Sequence, residues 1–422
     1  MKKFVEKINS GLNGEISIPA DKSISHRAVI LASLAKGKSI IKNFSKGQDP
    51  LSTLQVCKNL GVETEFKDDL IINSTGRFSA PAAELDCGNS GTTMRFMAGI
   101  LAGQNFNSTL IGDESLSKRP MKRVIEPLTL MGADITSNEF RAPLCIRGKK
   151  LYSINYVSKL ASAQVKSCIL LAGLNCEGKT TFSEPYISRD HTERMLKFMG
   201  ANISTDNNIT TIQKSELRPQ IIEICGDISS AAYFITAGLI VPNSEIILKN
   251  VGLNPTRTGI IEVAQQMGGN IEILDLRNVS GEEAGDIKIS YSELKACTIQ
   301  GEIIPKLIDE LPVIAVLATQ AEGTTIIKDA QDLRNKESDR IKAVVTELKK
   351  IGADIEETPD GFIINGKTEL QGGCDVETYH DHRLAMSLYV AGLICKQPIC
   401  INGFEWVNIS FPEFDRLFKN II

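Results

Sequence analysis

Six short, almost wholly apolar segments recur along the chain, and each follows a small polar cluster. The clusters begin at Ala20, Gly88, Ala161, Gly226, Asp309 and Asp381, so consecutive clusters lie 68, 73, 65, 83 and 72 residues apart. The apolar segments, such as AVILASLA, ILLAGL and AAYFITAGLI, show no polar face over about ten residues, which predicts helices buried inside a domain. The regular spacing predicts six copies of one structural unit.

A second series of helices, each with one apolar face, is interleaved with the first. Each is expected to end at a glycine, because glycine suits the left-handed residue that commonly closes a helix. These glycines are Gly61, Gly132, Gly200, Gly268 and Gly352. The sixth copy ends instead with a predicted helix over residues 411–422. The strand-like segments 4–8 and 15–19 are expected to supply the strands that the sixth copy lacks.

The chain of 422 residues is too long for one ordinary hydrophobic core, and three units fit each of two domains. One domain is predicted to span residues 20–225. The other is predicted to combine residues 1–19 with residues 226–422, so that both ends of the chain meet in it. The predicted fold class is α/β (α+β).

Composition narrows the function classes. The net charge is −4 and the basic residues are dispersed, which argues against a nucleic-acid partner. The ten cysteines form no CxxC pair, so neither a zinc site nor a disulfide framework is indicated. No uncharged apolar run reaches the roughly 18 residues of a membrane-spanning helix, and no apolar signal core follows the N-terminus. We expect a cytoplasmic monomer with no membrane partner.

Cations accompany the polar starts of several buried helices. A helix N-terminus favours anions because its unpaired N–H groups carry partial positive charge. The polar side chains and their neighbouring cations are Lys22, Ser23 and Arg27 at the first start, Asn89, Thr92 and Arg95 at the second, and Asp381, His382 and Arg383 at the sixth. Ser, Asp and Asn could serve only as N-caps, but a cap needs no cation beside it. The clusters therefore predict a site for phosphates or carboxylates.

The starts of the second helix series carry further cations, which are Arg119, Arg189, Lys336 and Arg340. An arginine at a helix N-terminus opposes the helix dipole, and an anionic ligand would offset that cost. Lys336 and Arg340 are four residues apart and are expected to share a helix face, with Glu337 near the same turn. Surface solvation remains an alternative for each of these cations.

Nine segments together resemble the 5-enolpyruvylshikimate-3-phosphate synthase family, in order from residue 14 to about residue 416. They are PADKSISHRAVILASLA, CGNSGTTMRF, GDESLSKRPMKRVIEPL, ASAQVKSCILLAGL, SRDHTERM, NPTRTG, IIPKLIDELPVIAVLATQAEG, LRNKESDRIKAV and YHDHRLAMS. The resemblance implies the enolpyruvyl-transferase fold of two domains, each built from three βαβαββ units, with the active site in the cleft between them. It also implies a cytoplasmic transferase of aromatic amino-acid biosynthesis that is a target of glyphosate.

The implied reaction transfers the enolpyruvyl group of phosphoenolpyruvate to the 5-hydroxyl of shikimate 3-phosphate and releases phosphate. It proceeds by addition and then elimination through a tetrahedral intermediate. Such a route needs general acids and bases together with many positive groups, and no metal or redox cofactor. We therefore expect no cofactor.

The resemblance assigns roles to residues of this sequence. The expected ligands of shikimate 3-phosphate are Lys22, Ser23, Arg27, Ser162, Ala163, Gln164, Arg189, Asp309 and Lys336. The expected ligands of phosphoenolpyruvate are Lys22, Asn89, Gly91, Arg119, Gln164, Arg340 and Arg383, with the backbone near Ser90. Asp309 is the expected base towards the 5-hydroxyl. Glu337 is the expected proton donor to the methylene carbon, assisted by Lys22.

Two positions depart from other members of the family. Ile409 stands where some members carry a lysine, so the arginines are expected to suffice for binding phosphoenolpyruvate. Ala163 stands where others carry a second serine, so its phosphate contact is expected to come from the backbone.

Some of these residues allow other interpretations. His380, Asp381 and His382 could bind a metal, but no further ligand cluster has a recognisable spacing. GNSGTT lacks the GK[ST] ending of a nucleotide triphosphate loop, and Cys87 is expected to be a buried core cysteine and not a catalytic thiol. Within the fold, the functional alternative is the UDP-N-acetylglucosamine enolpyruvyl transferase, which would show Lys-Asn at the first start. A non-catalytic ring of six repeats would need lysines and arginines along its inner helices, whereas the buried helices predicted here are apolar.

Overall fold

The structure is a computed structural model that describes residues 1–422. The chain divides into two compact units. The N-terminal unit comprises Ala20–Ile224 and Asn278–Glu282, and the C-terminal unit comprises Met1–Pro19, Cys225–Arg277 and Glu283–Ile422. None of the helices is both long and apolar enough to cross a lipid bilayer.

Helices and strands alternate through most of the chain. The α-helices are α1 (Lys22–Leu34), α2 (Gln48–Asn59), α3 (Gly91–Ala102), α4 (Glu114–Lys118), α5 (Lys122–Leu130), α6 (Ala163–Gly173), α7 (His191–Phe198), α8 (Ile228–Ile240), α9 (Gly259–Gln266), α10 (Ile304–Leu307), α11 (Leu311–Thr319), α12 (Arg340–Lys350), α13 (His382–Gly392) and α14 (Phe414–Lys419). Short 3-10 helices cover Gly301–Ile303, Gln331–Asn335 and Phe404–Ile409.

The strands are short, and most have fewer than eight residues. They are β1 (Lys2–Val5), β2 (Asn13–Ser17), β3 (Gly37–Lys42), β4 (Glu63–Phe66), β5 (Leu70–Ser74), β6 (Leu85–Asp86), β7 (Asn107–Ile111), β8 (Asp134–Asn138), β9 (Arg141–Arg147), β10 (Asn155–Val157), β11 (Lys179–Ser183), β12 (Ile203–Asp206), β13 (Ile209–Gln213), β14 (Ile221–Glu223), β15 (Glu245–Gly252), β16 (Asn270–Val279), β17 (Glu282–Ser290), β18 (Leu294–Lys295), β19 (Thr298–Ile299), β20 (Ala321–Ile327), β21 (Asp354–Thr358), β22 (Gly361–Gly366), β23 (Asp375–Glu377) and β24 (Ile399–Asn402).

Each unit contains three small sheets. Those of the N-terminal unit have the orders β14-β3-β5-β4, β6-β7-β9-β8 and β10-β11-β13-β12, and those of the C-terminal unit have the orders β16-β17-β15-β2, β18-β20-β22-β21 and β1-β24-β23. In every sheet, the strand after the buried helix has a parallel neighbour on one side and an antiparallel neighbour on the other. The predicted arrangement of six repeated units is confirmed.

Three of the sheets contain one strand from a distant part of the chain. Strand β14 lies parallel to β3, and β2 lies parallel to β15. Strand β1 pairs with β24 as expected for the sixth repeat. The expectation that segment 15–19 also completes the sixth repeat is wrong, since β2 completes the fourth. Because β14, which directly precedes α8, pairs with β3, the position beside β15 is left for β2.

The buried helices begin at the six predicted polar clusters. They are α1, α3, α6, α8, α11 and α13, and in the C-terminal unit α8, α11 and α13 all pack against one another. The glycines that close the second helix series have φ values of +89° at Gly61, +89° at Gly132, +90° at Gly200, +90° at Gly268 and +99° at Gly352. A side chain is strained in that left-handed conformation, which confirms why glycine recurs there.

The predicted terminal helix over 411–422 is shorter than expected. A 3-10 helix ends at Ile409, and α14 begins only at Phe414. Pro412 lies between them, and a proline disfavours the helical conformation in the residue before it.

Candidate active site

Helix α1 carries the predicted residues Lys22, Ser23 and Arg27. Asp21 caps the helix by accepting a hydrogen bond from a backbone N–H of the first turn at 2.8 Å. The Lys22 Nζ lies 3.1 Å from Oδ2 of Asp49, and the Lys22 side chain is 26% exposed. The lysine therefore keeps access to solvent at the start of the helix.

Arg27 is almost wholly buried beneath this helix start. Its Nε donates to Thr192 Oγ1 at 2.7 Å, its Nη1 to the carbonyl oxygen of Ser23 at 2.9 Å and its Nη2 to Ser167 Oγ at 3.0 Å. Its guanidinium also lies over the ring of Phe96 at 4.7 Å. Burial lowers the pKa of Arg27 to about 10, so the group stays charged at neutral pH.

The second polar start brings three predicted residues together. Ser90 caps α3 by accepting from a backbone N–H at 3.1 Å. Arg119 Nη2 donates to Asn89 Oδ1 at 2.6 Å. A Cβ built on Gly91 would lie 2.7 Å from Arg95 Nη1 and 3.6 Å from Arg119 Nη1. A larger residue at position 91 would therefore displace the Arg95 guanidinium.

Helix α6 carries Ser162 as its N-cap residue, followed by Ala163 and Gln164. Gln164 Oε1 accepts a hydrogen bond from Arg95 Nη1 at 2.6 Å. The structure thus joins the second and third polar starts through Arg95, a cation of the second start that was not among the expected substrate ligands. Arg189 lies just before α7.

A buried chain of hydrogen bonds links α1, α2 and α3. His26 Nδ1 lies 2.6 Å from Thr53 Oγ1, which lies 2.6 Å from Thr93 Oγ1, and the Thr93 hydroxyl donates to Ser90 Oγ at 2.7 Å. Burial lowers the pKa of His26 to about 3. His26 is therefore neutral in the folded protein at neutral pH.

Replacing His26 with asparagine is expected to reduce the dependence of stability on pH. Only the unfolded state of the native chain binds this proton between about pH 6.5 and about pH 3, so this contribution to stability is complete above that range and falls on acidification. We expect the native chain to lose about 2 kcal/mol of unfolding free energy between about pH 7.5 and about pH 5 from this group. Urea unfolding followed by circular dichroism would measure the loss. An equal change of unfolding free energy in the native chain and in His26→Asn would contradict this role. Above about pH 7.5, the difference in unfolding free energy between the two proteins should stay constant.

In the C-terminal unit, the side chain of Asp309 binds two predicted cations. Lys336 Nζ lies 3.2 Å and Arg340 Nη1 lies 3.4 Å from the same Asp309 Oδ1. Arg383 Nη1 donates to the backbone oxygen of Asp309 at 3.2 Å. One carboxylate and three positive side chains thus meet just before α11.

Arg340 is the most enclosed of these cations, with its side chain 2% exposed. Its Nε lies 2.7 Å from Asp381 Oδ2, and its Nη2 lies 2.6 Å from Glu337 Oε2. Burial acts to lower the pKa of Arg340, but Asp381 and Glu337 outweigh it and the pKa is raised. Burial likewise acts to raise the pKa of Asp381, but Arg340 outweighs it and the pKa is lowered. Both groups are therefore charged.

The expectation that Lys336 and Arg340 share a helix face is wrong. Helix α12 begins only at Arg340, and Asp339 is its N-cap residue. Lys336 lies before the helix with extended backbone, at φ −86° and ψ −154°. The two cations still meet, but at the Asp309 carboxylate. The cap explains the difference, because Asp339 accepts from the backbone N–H of Lys342 at 3.1 Å and so sets the helix start.

Arg383 is the second residue of α13 and is held by a buried carboxylate that the sequence reasoning gave no role. Glu310 Oε1 lies 3.6 Å from Arg383 Nη1 and accepts a hydrogen bond from Ser229 Oγ. Ser229 Oγ in turn accepts from Arg257 Nη2 at 2.6 Å. Burial acts to lower the pKa of Arg383, but Asp309 and other anionic groups outweigh it and the pKa is raised. The sequence offered one signal for this network, since Arg257 is the arginine of the segment NPTRTG.

Two of the alternatives from the sequence can be compared with the structure. Cys87 is fully buried, and burial raises the pKa of its thiol, which confirms a core cysteine. His380 stacks on the ring of Trp406, with centroids 4.6 Å apart. No three or more His, Cys, Asp or Glu side chains are grouped so as to hold a metal ion.

Comparisons with known proteins agree on one family. The family model described as EPSP synthase (3-phosphoshikimate 1-carboxyvinyltransferase) matches residues 6–417. The 3-phosphoshikimate 1-carboxyvinyltransferase of Bacillus pumilus is 54% identical over 409 residues, and that of Bacillus subtilis is 52% identical over 410 residues. Each alignment covers 96% of both chains.

Solved structures give the same result for the fold. EPSP synthase from Acinetobacter baumannii has a TM-score of 0.90 and 41% identity, and the alignment covers 100% of this chain and 98% of that one. The enolpyruvyl transferase NikO from Streptomyces tendae has a TM-score of 0.79 at 16% identity, over 99% of this chain and 96% of that one, which shows the fold alone. On the match over residues 6–417 and the identity of its relatives, the chain belongs to the EPSP synthase family.

Proposed function

We propose that this chain transfers the enolpyruvyl group of phosphoenolpyruvate to the 5-hydroxyl of shikimate 3-phosphate and releases phosphate, using the two groups of residues described above. Its family is that of the 3-phosphoshikimate 1-carboxyvinyltransferases. The observation that carries the assignment of roles is the meeting of Lys336 and Arg340 at Asp309 Oδ1. A carboxylate so placed can act as a base while the cations hold anionic substrates.

The group in the N-terminal unit is suited to hold shikimate 3-phosphate. The residues proposed to bind it there are Lys22, Ser23, Arg27, Ser162, Ala163, Gln164 and Arg189. Backbone N–H groups at the start of α6 suit the phosphate. Ala163 has no hydroxyl, so its contact comes from the main chain.

Phosphoenolpyruvate carries a carboxylate and a phosphate, which planar arginine side chains bind well through paired hydrogen bonds. We assign its binding to Arg119, Arg340 and Arg383, with Lys22, Asn89, Gly91 and Gln164. The pKa of Arg340 and that of Arg383 are both raised, which keeps these cations charged. No lysine is needed at Ile409.

The proposed reaction consists of an addition followed by an elimination. Glu337 donates a proton to the methylene carbon, Asp309 accepts the proton of the 5-hydroxyl, and the hydroxyl oxygen bonds to the central carbon. The resulting tetrahedral intermediate then loses a methyl proton and phosphate, which restores the double bond. Lys22 assists, and Lys336 binds the ring of shikimate 3-phosphate. The formation of one C–O bond and the loss of phosphate need proton transfer and the stabilisation of charge, which these side chains can supply.

The proposal also covers the setting of the enzyme. All ten cysteines are free thiols, which supports a reducing compartment such as the cytoplasm. That the protein is a monomer stays a prediction, which its mass in solution would test.

The test is the release of phosphate from phosphoenolpyruvate, measured with shikimate 3-phosphate, with UDP-N-acetylglucosamine and with neither acceptor. We expect release only with shikimate 3-phosphate, because Lys22 is followed by Ser23 and not by asparagine. Equal turnover with UDP-N-acetylglucosamine would contradict the proposal and favour the alternative transferase. No turnover with either acceptor would favour a non-catalytic protein.

A further inference from the structure

Lys166 is a buried charged residue in the first turn of α6, a helix whose later residues are almost all apolar. It lies on α6 one turn after Ser162, and only 2% of its side chain is exposed. Removing an ammonium group from water is costly, and a buried ion pair is by itself weak evidence for stability. A lysine kept at such a place therefore calls for another role, and its contacts indicate one.

Two of the polar contacts of Lys166 hold the same neighbouring residue, Ser188. Lys166 Nζ lies 2.8 Å from Glu184 Oε1 and donates to the carbonyl oxygen of Ser188 at 3.0 Å. Glu184 Oε1 in turn accepts hydrogen bonds from the backbone N–H and from the hydroxyl of Ser188, both at 2.9 Å. The N–H, the hydroxyl and the carbonyl oxygen of Ser188 are all held by this one ion pair.

The next residue in the chain is Arg189, and Lys166 also holds the segment that follows it. Lys166 Nζ lies 2.8 Å from Oε1 of Glu193, which is on α7. The segment before Arg189 has little apolar anchorage, since Tyr186 is 42% exposed and Ile187 is 47% exposed. The buried ions therefore hold the backbone of Ser188 directly before Arg189 and the side chain of Glu193 four residues after it.

Lys166 stays charged at neutral pH, although burial raises the pKa of its partner Glu193. Burial acts to lower the pKa of Lys166, but the carboxylates of Glu193 and Glu184 outweigh it and the pKa is raised. Glu193 also acts to raise the pKa of Arg27, whereas Arg189 acts to lower it. Glu193 and Arg189 thus lie within electrostatic range of the same buried arginine.

We propose that Lys166, together with Glu184 and Glu193, is a positioning residue that holds Arg189 in place for the phosphate of shikimate 3-phosphate. The inference rests on the proposed function, which gives Arg189 that contact. It adds a cluster that joins α6 and α7 without itself binding substrate. Helix α6 carries proposed phosphate ligands, and Arg189 lies just before α7.

The test compares Lys166→Met, Arg189→Met and the double variant by steady-state kinetics and by equilibrium binding of shikimate 3-phosphate. We expect Lys166→Met to weaken that binding by about 10- to 100-fold, as loss of positioning can, while KM for phosphoenolpyruvate changes by less than about threefold. In the Arg189→Met background, Lys166→Met is expected to add little, because the two act on the same contact. Lys214→Met, which removes an exposed ion pair with Glu177 in the same unit, is the matched control and should change neither value.

The outcomes separate the two levels of the proposal. Full binding of shikimate 3-phosphate by Arg189→Met would contradict the role given to Arg189, and the inference would fall with it. Independent, additive effects of the two changes would overturn the inference alone, as would equal weakening of both substrates. If Lys166→Met does not fold, Glu184→Asp carries the same test, because it keeps the charge but draws the carboxylate away from Ser188. Unchanged binding in a folded Glu184→Asp protein would also overturn the inference.

Discussion

Replacing Asp309 with asparagine is expected to lower kcat by about two to four orders of magnitude, which is the range for loss of a general base. The asparagine side chain has nearly the same shape and still offers an oxygen to Lys336 and Arg340. Binding of both substrates is therefore expected to stay nearly intact. Single-turnover and steady-state kinetics at saturating substrate would measure the chemical step separately from binding.

The matched control is Asp375→Asn in the same unit. Asp375 forms an exposed ion pair with Lys2 at 3.0 Å, and an exposed pair of this kind contributes little. The control is expected to keep the native kcat. A kcat within a few fold of the native value in Asp309→Asn would show that Asp309 is not the base.

Replacing Glu337 with glutamine is expected to cause a similar fall in kcat, by about two to four orders of magnitude, since it removes a proton donor. Glu337 Oε2 lies 2.6 Å from Arg340 Nη2, and the glutamine oxygen can still accept that hydrogen bond. Arg340 should therefore stay in place, and binding of phosphoenolpyruvate should change far less than kcat. Equilibrium binding and rapid-quench measurement of the first turnover would test both parts.

Glu357→Gln serves as the control for Glu337. Glu357 is also bound to an arginine, since its Oε1 lies 2.8 Å from Arg334 Nη2, and its side chain is 39% exposed. The same chemical change there should leave kcat unaltered. A large loss of phosphoenolpyruvate binding in Glu337→Gln, with an unaltered rate at saturation, would mean that Glu337 orients Arg340 and donates no proton.

The repeated units could be predicted because burial leaves a periodic trace in the sequence. A helix enclosed on all sides must be apolar all round, and a helix closed by a left-handed residue favours glycine. The pairing of β2 with β15 left no such trace. The pairing of strands far apart in sequence depends on which sheet edges are left unpaired. The edge of β15 is left for β2 because β14 pairs with β3 instead. That each unit folds as a separate domain stays a prediction.

The candidate site could be predicted at the level of residue types and neighbours, but not of contacts. The sequence placed Lys336 near Arg340 but gave them the wrong geometry, because the cap formed by Asp339 was not recognised. Lys166 was not among the predicted residues. A lysine within the apolar segment VKSCILL nevertheless indicates a buried ion pair, since a lysine is rarely buried without a partner. Its partners could not be identified, because Glu184 and Glu193 approach it only in the folded chain. The roles of the site residues stay predictions.

The pairing of β1 with β24 has a consequence for the newly made chain on the ribosome. Lys2 lies opposite Asn402 in that pair of strands, so β1 leaves the exit tunnel about 400 residues before its partner strand has been translated. The N-terminal unit lacks only β14 from its sheets once residue 213 has been made, so we expect it to fold first. Meanwhile, β1 and β2 remain as unpaired edges, the kind of segment that invites association with other chains. A message truncated before residue 399 would yield a protein in which β1 has no strand to pair with.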